Sequence, residues 1–372
     1  MNSEIEEKTE RLVKMLAEKK LGGVLLNSQP NFAWATAGAN NGVDQSRENG
    51  AASLLFRNDG KRFVLASRIE MQRFLAEEVS DADFEPVEFG WEEEKTSPNF
   101  LSNLASSLLN DGDTLGADLF LNSQTPIVEG DVARCRSRLA DFEIERFRRL
   151  GKNAGEAVGD LIKNLRGGES ENEVARRAKN CLGAKNIDSI VTLVAADERL
   201  QQFRHPVPTE KRWEKVLMLV VCARRRGLIV SLSRIVCLGK IPDELRLRTD
   251  VCACVNAKML AATKSNATGA EIYRIAAAAY AEEGFAGEEK LHHQGGATGY
   301  KTRDWVAHPK SPETIQINQA FAWNPSISGT KIEETVIVHQ NGIEIITATP
   351  NFPQIAVRIE GREYLSPDVL SL

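Results

Sequence analysis

The stretch VVCARRRGLIVSLSRIVCLG, residues 220–239, decides the fold of this chain. Two apolar runs, Val216–Cys222 and Leu228–Leu238, flank Ala223–Gly227. Runs rich in β-branched residues and broken by a turn signal predict two strands. Arg224, Arg225 and Arg226 then fall at a hairpin tip, as a solvated turn or a docking point for an acidic group. Upstream, Phe142–Arg166 carries Ile144, Phe147, Ala154, Val158 and Leu161 on one helical stripe and ends at Gly167-Gly168. Ser170-Glu171-Asn172-Glu173 reads as a capping box that opens the next helix. Downstream, Asp243–Lys264 and Gly269–Glu283 predict a second helix pair, and strands return from Ala320 with Asn341-Gly342 as a tight turn. Helix pair, strands, helix pair, strands is an α+β order, drawn as two similar halves around one curved sheet.

The first 139 residues follow another pattern. Residues 3–20 form an amphipathic helix with Leu12, Val13, Leu16 and Leu21 at helical spacing, stopped by Gly22-Gly23. Val24–Leu26, Ala51–Arg57, Arg62–Ala66 and Thr114–Ala117 predict strands, with Asn58-Asp59-Gly60 as a hairpin turn and a helix over Arg68–Val79. Strands alternating with helices imply an α/β domain. A length of 372 residues agrees with two domains, 1–139 and 140–372.

A net charge of −5 gives no footing for a nucleic-acid surface. The opening MNSEIEEKTERL lacks an apolar leader, and no run of ~18 apolar residues offers a membrane span. Neither a signal peptide nor a membrane anchor is expected, and the six cysteines are read as small, reduced, buried thiols of a cytoplasmic protein. Cys252 and Cys254 lie two apart in a helix, where side chains do not face each other. Gly295–Thr302 is a near miss for a phosphate-binding loop, because Tyr300 stands where that motif needs a glycine before Lys301-Thr302.

Several stretches in order resemble one family. RLVKMLAEKKLGGVLLNSQPNFAW and ASLLFRNDGKRFVLAS are similar to the opening of the N-terminal domain of the creatinase / aminopeptidase P / prolidase family. FEIERFRRLGKNAGEAV and GGESENEVARRA resemble the first two helices of its second domain. The resemblance implies a creatinase-like α/β domain followed by a pita-bread α+β domain. Metallopeptidases of the family hold two divalent metals with Asp, Asp, His, Glu and Glu. Two cations ~3.5–4 Å apart need anionic oxygens and an imidazole to generate a hydroxide nucleophile. Matching motif to motif puts Val220 and Ser231 at the two Asp positions, Gly296 at the His position and Asn324 at the first Glu position. Glu333 alone is kept, in KIEETVIV. No dinuclear metal and no cofactor are therefore expected.

The resemblance also points to residues around that position. His205, in FRHPVPTEK, is similar to the family histidine that contacts substrate, and His292 to a histidine behind the metals in aminopeptidase P-like members. Arg303, beside Asp304, falls on a later family histidine. His292 and His293 are adjacent, so an extended chain would turn only one of them inward. Glu333 and Glu334 are expected on opposite faces of a strand, and a buried Glu333 without metal needs a cation, Arg234 or Lys331. Two functions remain. One is a metal-independent, creatinase-type hydrolase of a small amide, guanidino or peptide compound. There His205, His292 and Glu333 would be catalytic, and Arg234, Arg303, Asn324 and Asp304 would bind substrate. The other is a non-catalytic module that binds a peptide, small molecule or partner protein. An Xaa-Pro metallopeptidase is the remaining reading. The family implies a homodimer.

Overall fold

The computed structural model describes residues 3–372, which divide into two compact units with the boundary between Ser137 and Arg138.

In the first unit, five strands are β1 (Gly23–Ser28), β2 (Asn49–Arg57), β3 (Arg62–Ser67), β4 (Glu85–Phe89) and β5 (Leu115–Ala117). They form a mixed sheet in the order β4-β3-β2-β1-β5. Leu25, Leu55, Phe63, Leu65 and Phe89 pack on one face with Ala105 of the helix Phe100–Ser107. The helix expected over Arg68–Val79 is only a turn, Met71–Arg73, followed by a wide π turn, Phe74–Glu78. Phe74 is fully buried against Phe32, with ring centroids 5.7 Å apart, and that anchor coincides with the wider turn.

The second unit holds β6 (Asp188–Ala196), β7 (Val216–Arg225), β8 (Leu228–Cys237), β9 (Gly295–Thr298), β10 (Trp305–Val306) and β11 (Ala320–Trp323). They are followed by β12 (Ser326–Ile327), β13 (Thr330–Lys331), β14 (Glu334–His339), β15 (Gly342–Ile345), β16 (Gln354–Ile359), β17 (Arg362–Pro367) and β18 (Val369–Ser371). The hairpin of β7 and β8 turns at Arg226 and Gly227, both with positive φ, as a tight two-residue turn requires. The capping box at Ser170 is formed: Ser170 Oγ accepts from Glu173 N at 3.2 Å, and Ser170 N donates to Glu173 Oε2 at 2.7 Å. Helices Asp141–Ile162 and Glu171–Gly183 pack against each other and onto β8 and β6. Helices Asp243–Ala262 and Gly269–Glu282 bury Val255, Met259, Ile272 and Tyr280 against Phe321, Trp323 and Val336 of the other sheet.

The single curved sheet drawn from the sequence is two larger sheets, β18-β8-β7-β6 and β10-β9-β11-β14-β15, with two-stranded pairs β12-β13 and β16-β17 beside them. They meet at a seam beside β8 and β14. Thr335 Oγ1 accepts from Ser231 N at 2.8 Å and donates to Ser231 O at 2.9 Å, while Ser233 N donates to Glu333 O at 3.1 Å. This seam brings the hairpin's inner face to Glu333. β6 was not foreseen, because its residues Asp188–Val191 are solvent-facing and dilute the apolar run.

Candidate active site

Strand register fixes what faces the seam. Val216, Met218, Val220 and Cys222 of β7 stand opposite Cys237, Ile235, Ser233 and Ser231 of β8, so these eight share one face. That face changes character along its length. Val220 joins Ala195, Leu200, Met218, Ile235 and Leu245 in an apolar cluster. Burying a valine there contributes about 1.5 kcal/mol, where an aspartate would be a buried charge without a partner. Beyond it the face turns polar. Ser231 Oγ lies 3.3 Å from Cys222 Sγ, and Arg303 Nη1 donates to Ser231 Oγ at 3.4 Å. Burial first, then Glu333, pushes the Cys222 thiol up, so it stays protonated.

Gly296 is closed to any side chain. It pairs with Ala322 on one side and Val306 on the other, and a Cβ built there would lie 1.9 Å from Trp305 O. The glycines of the apparent phosphate loop therefore allow three backbones to pass closely. An imidazole at this position would need β10 to move.

Glu333 is 2% exposed and lies between two cations. Arg303 Nη2 donates to Glu333 Oε1 at 2.9 Å, and Lys331 Nζ stands 3.4 Å from Glu333 Oε2. Burial favours the neutral acid, but Lys331 and Arg303 outweigh it and hold the carboxyl below its ordinary range. The cluster is not saturated. Arg303 Nε is buried without a hydrogen-bond partner, and Glu333 Oε2 meets Lys331 only as an ion pair. Asn324, just after β11, bonds through its backbone N–H to Gln294 O and leaves a buried Oδ1 without a partner.

Three histidines surround this cluster, and both neighbouring rings take part. His292 and His293 lie in a bend rather than a strand, so adjacency does not send them to opposite sides. His292 Nε2 is 3.0 Å from His205 Nε2, and its Nδ1 bonds the His293 carbonyl at 2.5 Å. Ring nitrogens of all three lie within 4.8 Å of one another. Burial, then the charge of Lys331, pushes His292 down to about 2. His293 is lowered to about 4 by desolvation, Arg303 and Lys331, although one side of the ring meets solvent. His205, on an exposed loop, is lowered too, by desolvation and Lys331. All three are neutral near pH 7. Arg204 fixes the His205 loop by donating to Ser326 Oγ and Ser328 Oγ, both at 3.1 Å, and by pairing with Glu288.

The expected residues thus sort into two groups. His205, His292, Glu333, Arg303 and Ser231 come together with His293, Lys331 and Cys222. Arg234 does not join them. It is 2% exposed and points to the opposite face of β8, where Nη2 pairs with Glu334 at 2.8 Å. Its Nε donates to Thr349 Oγ1 at 2.9 Å, Nη1 to Ser233 O at 2.7 Å and Nη2 also to Thr347 O at 2.8 Å. Such a guanidinium has no free edge for a substrate, and it is the counter-ion of Glu334 rather than Glu333. Lys331, the other candidate, is paired with Glu333. Asp304 donates its backbone N–H to Ala297 O at 2.8 Å, and its carboxylate lies beside Gly299. The sequence signal for Lys331 was its place two residues before Glu333, and for Cys222 its place two residues beyond Val220 on the same strand face.

Residues 145–340 match metallopeptidase family M24. The Xaa-Pro dipeptidase of Pyrococcus furiosus is 23% identical over 217 residues, 56% of this chain and 62% of that protein. The match thus spans less than two thirds of that relative's length. Among solved structures, the prolidase of Pyrococcus horikoshii superposes with a TM-score of 0.76 at 18% identity, covering 92% of this chain and 98% of that one. The N-terminal domain of FACT complex subunit SPT16 from chickpea, Cicer arietinum, superposes with a TM-score of 0.70 at 10% identity, covering 94% of this chain and 97% of that one. At such identities the structures establish the two-domain pita-bread fold. Among the described residues no helix is long and apolar enough to cross a membrane.

Proposed function

The chain belongs to metallopeptidase family M24, and from that premise we propose that it hydrolyses a small amide, guanidino or peptide compound without the family's two-metal centre. The observation that carries this reading is the Lys331–Glu333–Arg303 cluster. The one family ligand that is kept already has two protein cations as partners. Val220 offers no donor atom, and the backbone leaves no room for a side chain at Gly296. These residues do not fit a pair of divalent metals.

Protein cations can supply part of what metals supply. Arg303, with Nε unpaired, and Lys331, with a single long ion pair, place positive charge where a substrate oxygen would become an oxyanion. His205 is neutral near pH 7 and takes a proton from the attacking water, with His292 as its hydrogen-bond partner at 3.0 Å. Oxygen bonds to the acyl or amidino carbon, the C–N bond breaks, and the proton passes to the leaving nitrogen.

The test is turnover of a panel of small amides, guanidino compounds and Xaa-Pro dipeptides by chelator-treated protein. Turnover that survives the chelator and is lost in His205→Ala supports the reading. Xaa-Pro cleavage that requires two equivalents of manganese or cobalt overturns it. A binding module is the second reading, favoured by the loss of polar function at Val220 and Gly296. The same fold is found in a domain of a FACT complex subunit. A ligand that raises the melting temperature without being turned over, at any pH, selects it.

A further inference from the structure

We infer that His205, His292 and His293 form a site for one divalent transition-metal ion of the zinc class, built from none of the five family ligand positions. The first ground is convergence: one nitrogen from each ring lies within 4.8 Å of the others. The second is orientation. The Nδ1 of His292 faces a backbone carbonyl, which makes it the protonated nitrogen and leaves the Nε2 lone pair directed at His205. A backbone carbonyl behind the outer nitrogen is the usual partner of a metal-binding imidazole, because it fixes the tautomer.

Two imidazole nitrogens 3.0 Å apart need a proton or a cation between them. Tetrahedral zinc, with bonds of about 2.0–2.1 Å, spaces its ligands by about 3.4 Å. The His205–His292 pair would open by a few tenths of an ångström, and His293 would close by about 1.4 Å from its 4.8 Å limit. Such a shift of His293 gives up a long 3.3 Å bond from Gly295 N to its Nδ1 and slides its ring along that of His292, 4.3 Å away between centroids. Arg204 anchors the His205 loop, and the exposed edges of His205 and His293 leave an entry path from solvent.

The donor set selects the ion. Three neutral imidazoles suit zinc, copper or nickel, whereas manganese and magnesium need carboxylate oxygen. Lys331 and Arg303 oppose any cation nearby, and Glu333 offsets only one of them. They therefore exclude ions held mainly by charge and leave those held by nitrogen. The inference does not rest on the hydrolase reading, since an inert chain would take up the ion equally well. Where the chain is a hydrolase, bound zinc takes the His205 lone pair away from acid–base work and inhibits it.

The experiment uses chelator-stripped full-length protein titrated with zinc sulfate by calorimetry, with cobalt as a spectroscopic stand-in. We expect one equivalent of zinc, intense visible bands of tetrahedral cobalt, and no uptake of manganese. His292→Ala and His293→Ala should each weaken zinc at least tenfold with unchanged circular dichroism, whereas His308→Ala, at an exposed position outside the cluster, should not. Absence of stoichiometric zinc, or zinc affinity in both cluster variants unchanged from the parent protein, overturns the site. Turnover unaffected by bound zinc would leave the metal site standing and remove the acid–base role of His205.

Discussion

Glu333 and Glu334 are consecutive, both below 7% exposed or near it, and each sits beside an arginine, yet their surroundings differ in kind. Glu334 lies in a closed cluster. Arg234 pairs with it, Thr347 Oγ1 donates to it, and Thr349 and two backbone carbonyls take the rest of the guanidinium. Burial pushes Glu334 up and Arg234 down, each only partly offset by the other. Glu333 lies in an unsaturated cluster: two cations, unpaired polar atoms and three imidazoles, of which His205 and His293 are exposed. A saturated buried pair fixes strand geometry and has nothing left for a ligand. An unsaturated one keeps polar atoms that a ligand can satisfy.

The largest expected effect tests the closed cluster. Arg234→Met strands the buried carboxyl of Glu334 and should lower unfolding free energy by about 3–5 kcal/mol in urea titrations. Glu333→Gln should cost clearly less, because the amide keeps an oxygen for Arg303 and the pair with Lys331 is already long at 3.4 Å, while ligand binding or turnover disappears. Equal losses of stability in the two variants would dissolve the distinction.

Acid should act on the open cluster. His292 is lowered to about 2 and His293 to about 4, both below the ordinary ~6.5 of the unfolded chain. The unfolded state therefore binds more protons between those values, and stability falls as pH drops below about 6.5. Between pH 6.5 and 4.5 buried His292 alone should cost roughly 2 kcal/mol, and His293, being exposed, should add less because solvent screens it. His292→Asn should flatten that slope in chemical denaturation, and a slope left unchanged would mean the ring is not held neutral.

The smallest contrast concerns single hydroxyls. Thr349→Val removes a 2.9 Å bond to a buried guanidinium and should cost about 1.5–3 kcal/mol. Ser231→Ala loses a 3.4 Å bond from Arg303 and a weak 3.3 Å contact to Cys222 Sγ, and should cost about 1 kcal/mol or less, while altering ligand affinity. Melting curves of the two variants side by side decide whether the open cluster is as loosely held as its distances indicate.

Much of this protein was legible in its residues. The β7–β8 hairpin, the two helix pairs and the capping box follow from local periodicity and turn chemistry, which act over a few residues. That Val220 carries no donor atom and Gly296 no side chain is a matter of residue identity, and a sequence states identity directly. Tertiary structure alone decided partnership. Arg234, three residues past Ser231, faces the opposite side of its strand, and the choice of Glu334 over Glu333 depends on which strand passes behind β8. The bend at His292 let two adjacent rings face His205, which an extended chain would forbid. The tightness at Gly296 came from β10, nine residues further along. Contacts between distant segments depend on how sheets meet, and at this seam that depends on hydrogen bonds between Ser231 and Thr335, 104 residues apart.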